Sequence, residues 1–203
     1  IKTHIEEKTG LRVEIDPING IIRFSGDDLF GSGQWRVSPG STADQVAKAI
    51  GNVFDELLPC YSLGENSKFS EQCNNSYAVL EAIQIEGHTD EQAISSNLKD
   101  RERMEDNNDL SARRSAEMLR AMTKRHLPHL LQFWNLKEQP VLSFSGYGYM
   151  RPLVPNKDSK SRAKNRRIDL RFIMATPNTS DEIDAIKKSL RTGHPELMDR
   201  ATP

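Results

Sequence analysis

The sequence predicts an α+β fold, a two-layer α/β sandwich in which a mixed β-sheet carries its helices on one face. Three observations support this class. Stretches in which apolar and polar residues alternate recur along the chain, as they do in strands with one buried face. Two amphipathic segments, at 43–58 and 111–126, have helical spacing of their apolar residues. The order β-α-β-α-β-β favours helices that pack on one side of a mixed sheet.

Length and composition predict one domain with a single core. The chain has 203 residues, of which 36% are hydrophobic, and this is enough apolar material for one core. The net charge of -1 gives no attraction of the whole chain to nucleic acid or anionic lipid. The sequence contains neither an apolar run long enough to cross a bilayer nor a charged-then-apolar signal peptide.

The N-terminal part is expected to form a hairpin followed by a loop. Apolar and polar residues alternate over 11–16, and 17–20 supplies Pro, Asn and Gly for a turn before the apolar run 21–24. The density of Gly, Ser and Pro over 27–40 predicts a loop. Trp35 in this loop is interpreted as an anchor onto the core rather than as a binding aromatic.

The clearest helix is predicted from Ser41 to Pro59. Ser41 and Asp44 have the spacing of a capping box, and apolar residues then recur at helical spacing. One stripe facing a sheet accounts for this helix, so no ligand is assigned to it. The following polar segment, 60–75, contains both cysteines of the chain.

The next stretch is the one expected to carry the chemistry. Strand 82–87 ends at a glycine that allows a sharp exit, so residues 88–90 are placed on a loop at a strand end. Ser111 is expected to cap the second helix, which would place Arg114 in its first turn, on the rim of a groove facing that loop. A carboxylate, Asp90, and a guanidinium would then line one groove.

The C-terminal part completes the sheet. A strand is predicted at 141–144, followed by a tight loop with two glycines at 146–148. A polar loop is predicted over 151–164, then the last core strand at 168–172 and a short helix at 181–190.

Other chemistries have weaker support. His88 and Asp90 could form part of a metal site with His126 and His129, but no HExxH and no paired CxxC occurs. The sequence has no G-x-S-x-G elbow and no P-loop, so no catalytic residue and no cofactor is predicted. The basic residues of 157–171 lack the interleaved aromatics that bind single strands, so a solvated loop is favoured and no nucleic-acid partner is expected.

Several short motifs, taken in order, resemble the signature of the OmpA-like peptidoglycan-binding domains. They are GHTD at 87–90, Asn107 followed by Leu110-Ser111 and Arg114, GYG at 146–148, and NRRIDL at 165–170. The segment LFGSGQWRVSP at 29–39, with the amphipathic helix after it, resembles the corresponding part of the MotB-type stator subunits. The ZorB subunits of Zorya anti-phage motors are built in a similar way. The loop 91–106 is longer and more charged than is usual in the family, and Ser115 stands where Ala is customary.

The resemblance implies a non-catalytic site for the meso-diaminopimelate of peptidoglycan stem peptides. Asp90 would accept hydrogen bonds from the ligand ammonium, and Arg114 would hold its carboxylate with a planar fork. N-H groups at the start of the helix would favour that carboxylate further. The implied residues are Thr89, Asn107 and Leu110 as the rest of the pocket, and His88, Tyr147, Asn165 and Arg166 as supporting residues.

The resemblance also implies a cellular setting. We expect a periplasmic domain, anchored to the inner membrane by a transmembrane helix upstream of Ile1, in a homodimer with a MotA- or ZorA-like membrane ring. The expected boundaries are a juxtamembrane linker with the first hairpin strand at 1–19, the OmpA-like domain at 20–176, and a C-terminal helix and tail at 177–203. A plain outer-membrane or lipoprotein tether and, with less support, an envelope hydrolase remain as alternatives.

Cys60 and Cys73 are expected to form a disulfide. Both lie in one polar segment, no metal partner is evident, and the implied compartment is oxidising.

Overall fold

The computed structural model describes residues 2–94 and 105–196, and most of the long loop 91–106 lies outside this part. Its centre is a five-stranded mixed sheet with the order β1-β2-β5-β3-β4. The strands are β1 (Val13–Asp16), β2 (Ile21–Ser25), β3 (Leu80–His88), β4 (Leu142–Gly146) and β5 (Arg167–Met174). The pair β3 and β4 is parallel, and the other neighbours are antiparallel. The predicted hairpin and the predicted α+β class are therefore confirmed.

Six α-helices accompany the described strands. They are α1 (Lys2–Thr9), α2 (Gly26–Leu29), α3 (Thr42–Tyr61), α4 (Asn107–Arg120), α5 (Ser159–Asn165) and α6 (Ser180–Thr192). A π-helical turn, Ala121–His126, continues α4, and a 3-10 helix, Pro128–Gln132, follows it. In the described residues, no helix is both long enough and apolar enough to span a membrane.

One hydrophobic core lies between the sheet and α3 and α4. The apolar stripe of α3 packs in this core with Met118 of α4, with Met122 of the π-helical turn, and with strand residues Ile22, Phe24, Ile83, Ile85 and Leu170. Phe54 of α3 meets Phe172 of β5 edge to face, with ring centroids 6.2 Å apart. A smaller cluster, which includes Leu63, Val79, Ile186 and Leu190, holds the predicted C-terminal helix α6.

Several predicted elements differ from those in the structure. Helix α3 runs two residues past Pro59, because a proline this close to a helix end removes only one intrahelical hydrogen bond. Helix α5 occupies the end of the predicted loop 151–164 and extends one residue beyond it, and Asp158 and Ser161 form a capping box that starts it. Helix α2, which begins one residue before the predicted loop 27–40 and overlaps its start, is too short to show a helical period. Trp35 of that loop is half-buried, between the guanidiniums of Arg36 and Arg113.

The predicted disulfide is confirmed. Cys60, in the last turn of α3, is bonded to Cys73, with the two Cα atoms 6.1 Å apart. Nearby hydrogen bonds hold the same connection: the Tyr61 hydroxyl donates to the carbonyl of Cys73 at 2.9 Å, and the Asn74 amide donates to the carbonyl of Cys60 at 3.0 Å. Closing a loop of this size stabilises a fold by about 3 kcal/mol in the chain-entropy description.

Candidate functional site

A groove of about 610 Å³ opens where β3 ends and α4 begins. All five residues that the resemblance implied for binding line it: Thr89, Asp90, Asn107, Leu110 and Arg114. The opposite wall comes from α2 and the segment after it, with Asp27 and residues 30–33, and Arg166 closes the end next to β5. Elements far apart in sequence therefore meet in one concave surface that carries charges of both signs.

Two glycines bring α4 directly onto the strand ends. A Cβ atom on Gly87 would lie 2.1 Å from the carbonyl oxygen of Ser111, and one on Gly146 would lie 2.4 Å from the amide nitrogen of Ala112. The Ser115 hydroxyl donates to the carbonyl of Ser145 at 2.9 Å, so the serine at this position ties α4 to β4. The helix backbone thus rests on β3 and β4 without intervening side chains.

The start of α4 differs from the prediction. Asp106 is the N-cap, and its carboxylate accepts hydrogen bonds from the N-H groups two and three residues later at 2.8 and 3.0 Å. These N-H groups are satisfied within the helix and are not directed at a ligand. Ser111 lies in the helix, where its hydroxyl accepts a hydrogen bond from the amide of Gly148 at 2.9 Å. Arg114 is consequently two turns inside α4, not in its first turn.

Arg114 forms a buried wall of the groove, not its rim. It is 4% exposed. Its Nε donates to the carbonyl of Gln34 at 2.8 Å, its Nη2 donates to the carbonyl of Gly31 at 3.2 Å, and its guanidinium lies 5.2 Å from the ring centroid of Phe30. Burial lowers the pKa of Arg114 to about 10, against the opposing effect of the Asp27 carboxylate. The side chain therefore stays charged at neutral pH and holds the segment 30–34 against α4.

Asp90 is tied to an arginine that sequence analysis treated only as supporting. Its Oδ2 accepts a hydrogen bond from Nη1 of Arg166, and its Oδ1 accepts one from the amide of Gln92 at 2.9 Å. Arg166 also forms a two-point contact with Asp27, with both nitrogen-oxygen distances at 2.6 Å. The hydrogen bonds to Asp27, and then to Asp90, raise the pKa of Arg166. Asp27 is a groove residue that sequence analysis missed, because it looked like one of many polar loop residues.

The other predicted residues shape the groove in different ways. The Asn107 amide donates to the carbonyls of Asp90 and Gln92 at 3.2 and 2.9 Å, so Asn107 holds the loop that presents Asp90. Leu110 contributes an apolar surface and is 5% exposed. The Thr89 hydroxyl is buried and has no hydrogen-bond partner among residues 2–94 and 105–196. It is a polar group available to a ligand.

Comparison with known proteins identifies the fold. No protein-family profile and no curated protein matches the sequence. A putative MotB-like protein from Desulfovibrio vulgaris has 23% identity over 86% of this chain and 87% of that chain, with a TM-score of 0.54. The periplasmic domain of Helicobacter pylori MotB has 18% identity over 97% and 98%, with a TM-score of 0.54. The cell wall anchor of the T6SS from Pseudomonas aeruginosa has 16% identity over 85% and 93%, with a TM-score of 0.53. The chain has the OmpA-like fold of MotB-type periplasmic domains.

In this OmpA-like fold, Asn165 organises the loop before α5. Its Oδ1 accepts hydrogen bonds from the amides of Leu153 and Val154 at 2.8 and 3.2 Å, and its Nδ2 donates to the carbonyl of Val154 at 2.8 Å. Asn165 does not line the groove. Its contacts keep the chain in place just before Arg166, which does.

His88 and Tyr147 lie apart from the groove of the OmpA-like fold. The His88 ring is 1% exposed and stacks on Tyr147, with centroids 5.4 Å apart, and the guanidinium of Arg151 lies 3.8 Å from the Tyr147 ring centroid. The backbone still connects both regions, since the Thr89 amide donates to the carbonyl of Gly148 at 2.9 Å. His88 and Tyr147 can therefore act on the groove only through the position of these loops.

A buried cluster around His88 has metal-ligand chemistry but fits a metal ion poorly. Nε2 of His88 lies 3.6 Å from a Glu86 oxygen and 3.7 Å from an Asp169 oxygen, beyond normal hydrogen-bond length. Both oxygens of Glu86 accept from Arg171, at 2.7 and 3.0 Å. The two oxygens of Asp169 accept from Arg23 and Arg167, each at 3.0 Å. These arginines already neutralise both carboxylates and would repel a divalent cation. The suggested metal site of His88 with Asp90 also fails, because Asp90 lines the groove and His88 does not.

We expect His88 to make the stability of the fold depend on pH. Burial lowers the pKa of His88, and Arg167 acts in the same direction, against Glu86 and Asp169. The unfolded chain takes up the proton at about pH 6.5, so stability is full above that pH and falls as the pH drops toward the lower folded pKa. The loss should approach about 1.4 kcal/mol per pH unit in this window.

Urea denaturation at pH 7.5 and pH 5.5 measures this effect. The His88→Gln protein, which carries no titrating ring at this position, should lose less stability between the two pH values than the parent. An equal loss in both proteins would contradict the assignment to His88.

Proposed function

We propose that this domain binds peptidoglycan without cleaving it, through the diaminopimelate of the stem peptide, and so anchors a membrane complex to the cell wall. One observation carries the proposal: a single groove is lined by two carboxylates, Asp27 and Asp90, and two guanidiniums, Arg114 and Arg166. The side-chain end of diaminopimelate carries an ammonium and a carboxylate on one carbon. A groove with fixed charges of both signs is complementary to such a zwitterion.

The groove contacts suggest how each end of the zwitterion is held. The ligand ammonium takes the place of Arg166 on Asp90, and Asp27 keeps Arg166 through its two-point contact. The ligand carboxylate is held by the guanidinium of Arg114, whose planar geometry matches a carboxylate. The Thr89 hydroxyl, which has no hydrogen-bond partner in the described part of the chain, and the Leu110 side chain complete the pocket. Asn107 acts by holding the Asp90 loop.

The proposed setting is the periplasm, with the domain linked to the inner membrane. Support comes from the similarity of the fold to periplasmic MotB domains and from the disulfide, which suits an oxidising compartment. We further propose a homodimer that works with a MotA- or ZorA-like ring, as the stator of an ion-driven motor such as a Zorya anti-phage system. A plain cell-wall tether is the second candidate, favoured by the similarity to the T6SS cell wall anchor.

The proposal is tested by co-sedimentation with purified sacculi of two chemistries. The protein should be retained by diaminopimelate-containing sacculi, and at least about tenfold less by sacculi with lysine at that position, because lysine lacks the carboxylate that Arg114 binds. Equal retention by both walls would overturn diaminopimelate recognition. Release of soluble wall fragments from the sacculi would instead support an envelope hydrolase.

A further inference from the structure

A second concave surface lies beside the groove, and its charge differs from that of the whole chain. We call it the cationic cleft; it has a volume of about 580 Å³. It opens between β1, β2 and α5. Its charged lining residues are Arg12, Arg23, Lys160, Lys164 and Arg167, with Glu14 and Asp28 as the two acidic ones. The cleft therefore has an excess of three positive charges in a chain whose net charge is -1.

Part of this positive charge has no ion-pair partner among residues 2–94 and 105–196. Arg23 and Arg167 are paired with the buried Asp169. Arg12, Lys160 and Lys164 are exposed, and no carboxylate in the described part of the chain forms an ion pair with them. Lys160 and Lys164 are four residues apart on α5, a spacing that places their side chains on one face of the helix. Unpaired cations gathered in a concave surface attract anionic ligands.

The cationic cleft and the groove share their dividing wall. Asp27 lines the groove and Asp28 lines the cleft, while Arg166 lines the groove and Arg167 lines the cleft. The residues that separate the two surfaces are thus neighbours in sequence, in α2 and at the junction of α5 with β5. A ligand held in the groove that extends over this wall enters the cleft.

We propose that the cationic cleft binds backbone carboxylates of the same stem peptide whose diaminopimelate occupies the groove. This inference rests on the proposed function. A stem peptide carries a carboxylate on its D-glutamate and another at its C-terminus, in addition to the zwitterion of diaminopimelate. Lys160, Lys164 and Arg12 supply the charge for these carboxylates, so the domain recognises an anionic peptide and not only its diaminopimelate end.

Calorimetric titration with two ligands tests the proposal. The ligands are free meso-diaminopimelate and the tetrapeptide L-Ala-D-Glu-meso-diaminopimelate-D-Ala. The parent should bind the tetrapeptide about tenfold more tightly at low salt, the gain expected from two or three exposed ion pairs. The Lys160→Glu/Lys164→Glu protein should lose this gain and bind free diaminopimelate as the parent does. A matched control is Lys48→Glu/Lys124→Glu, which reverses two exposed lysines that do not line the cleft and should retain the gain.

Each outcome has a distinct meaning. A tetrapeptide with both backbone carboxylates amidated keeps the zwitterion and should bind the parent no more tightly than free diaminopimelate does. If the amidated peptide binds as tightly as the acidic one, or if the Lys160→Glu/Lys164→Glu protein keeps the gain, the cationic cleft is not a carboxylate site. If the parent does not bind free diaminopimelate at all, the proposed function fails, and this inference fails with it.

Discussion

The Asp90→Ala protein is expected to lose retention on diaminopimelate-containing sacculi while keeping its fold. A hydrogen bond to a charged group contributes roughly 1.5 to 3 kcal/mol, so its loss should weaken binding by about one to two powers of ten. The stability change should stay under about 1 kcal/mol, because Arg166 keeps its two-point contact with Asp27. Co-sedimentation measures the first quantity and thermal unfolding the second.

The contacts of the arginines on α4 determine which variants should be compared with Asp90→Ala. Arg114→Lys is the better test of the guanidinium fork than Arg114→Ala, because truncation would also release the carbonyls of Gly31 and Gln34 and loosen the groove wall. Arg113 is a poor control, since it pairs with Asp109 at 2.7 Å and lies over Trp35. Arg120 also pairs with a carboxylate, Glu117, at 2.9 Å, but its side chain is 58% exposed and contacts no ring of the described residues, so it is a better control. The zwitterion mechanism is wrong if the Asp90→Ala protein sediments with sacculi as the parent does. It is also wrong if Arg120→Ala reduces retention on sacculi as much as Asp90→Ala does.

Gly87→Ala is expected to destabilise the domain by about 1 to 3 kcal/mol or more and to reduce wall binding as well. The added Cβ would lie 2.1 Å from the carbonyl oxygen of Ser111 and 2.8 Å from its carbonyl carbon, both backbone atoms of α4. Helix α4 must therefore move away from β3, and Leu110 and Arg114 move with it relative to Asp90. Urea denaturation gives the loss in the free energy of unfolding, and sedimentation with sacculi gives the loss in binding.

The matched control for this prediction is Gly51→Ala in α3. A Cβ there would approach the side chain of Leu127 at 3.2 Å, and a side chain can shift more easily than a helix backbone. Alanine also has the better helix propensity, by about 1 kcal/mol, so Gly51→Ala should change stability little or raise it. If Gly87→Ala is as stable as the parent, the close contact of α4 with β3 does not limit the position of the groove.

Local patterns in the sequence determined most of the framework. The hairpin and α3 follow from periodicities of two and of about 3.6 residues, which depend only on near neighbours and on burial of one face. The disulfide was expected from two cysteines in one polar segment together with the oxidising compartment that the resemblance implies. The motif residues, including Thr89, Asp90 and Arg114, do meet in one groove. They could be selected from the sequence because the motifs that resemble the OmpA-like domains include them, and because strand ends and helix starts in this kind of sheet converge at one edge.

Only the tertiary structure decided what the groove side chains contact. Asp106 and Ser111 are both good cap residues locally. In the structure Asp106 is the cap, and Ser111 lies inside α4, where the helix backbone packs against Gly87 and Gly146. The pairing of Arg166 with Asp27 joins residues 139 positions apart, and no local period records it. The burial of Arg114, which sequence analysis placed on the rim, depends on the segment that carries Gly31 and Gln34. Ion pairs and burial are properties of packed surfaces, so they follow from the meeting of distant elements and not from the spacing of residues along any one of them.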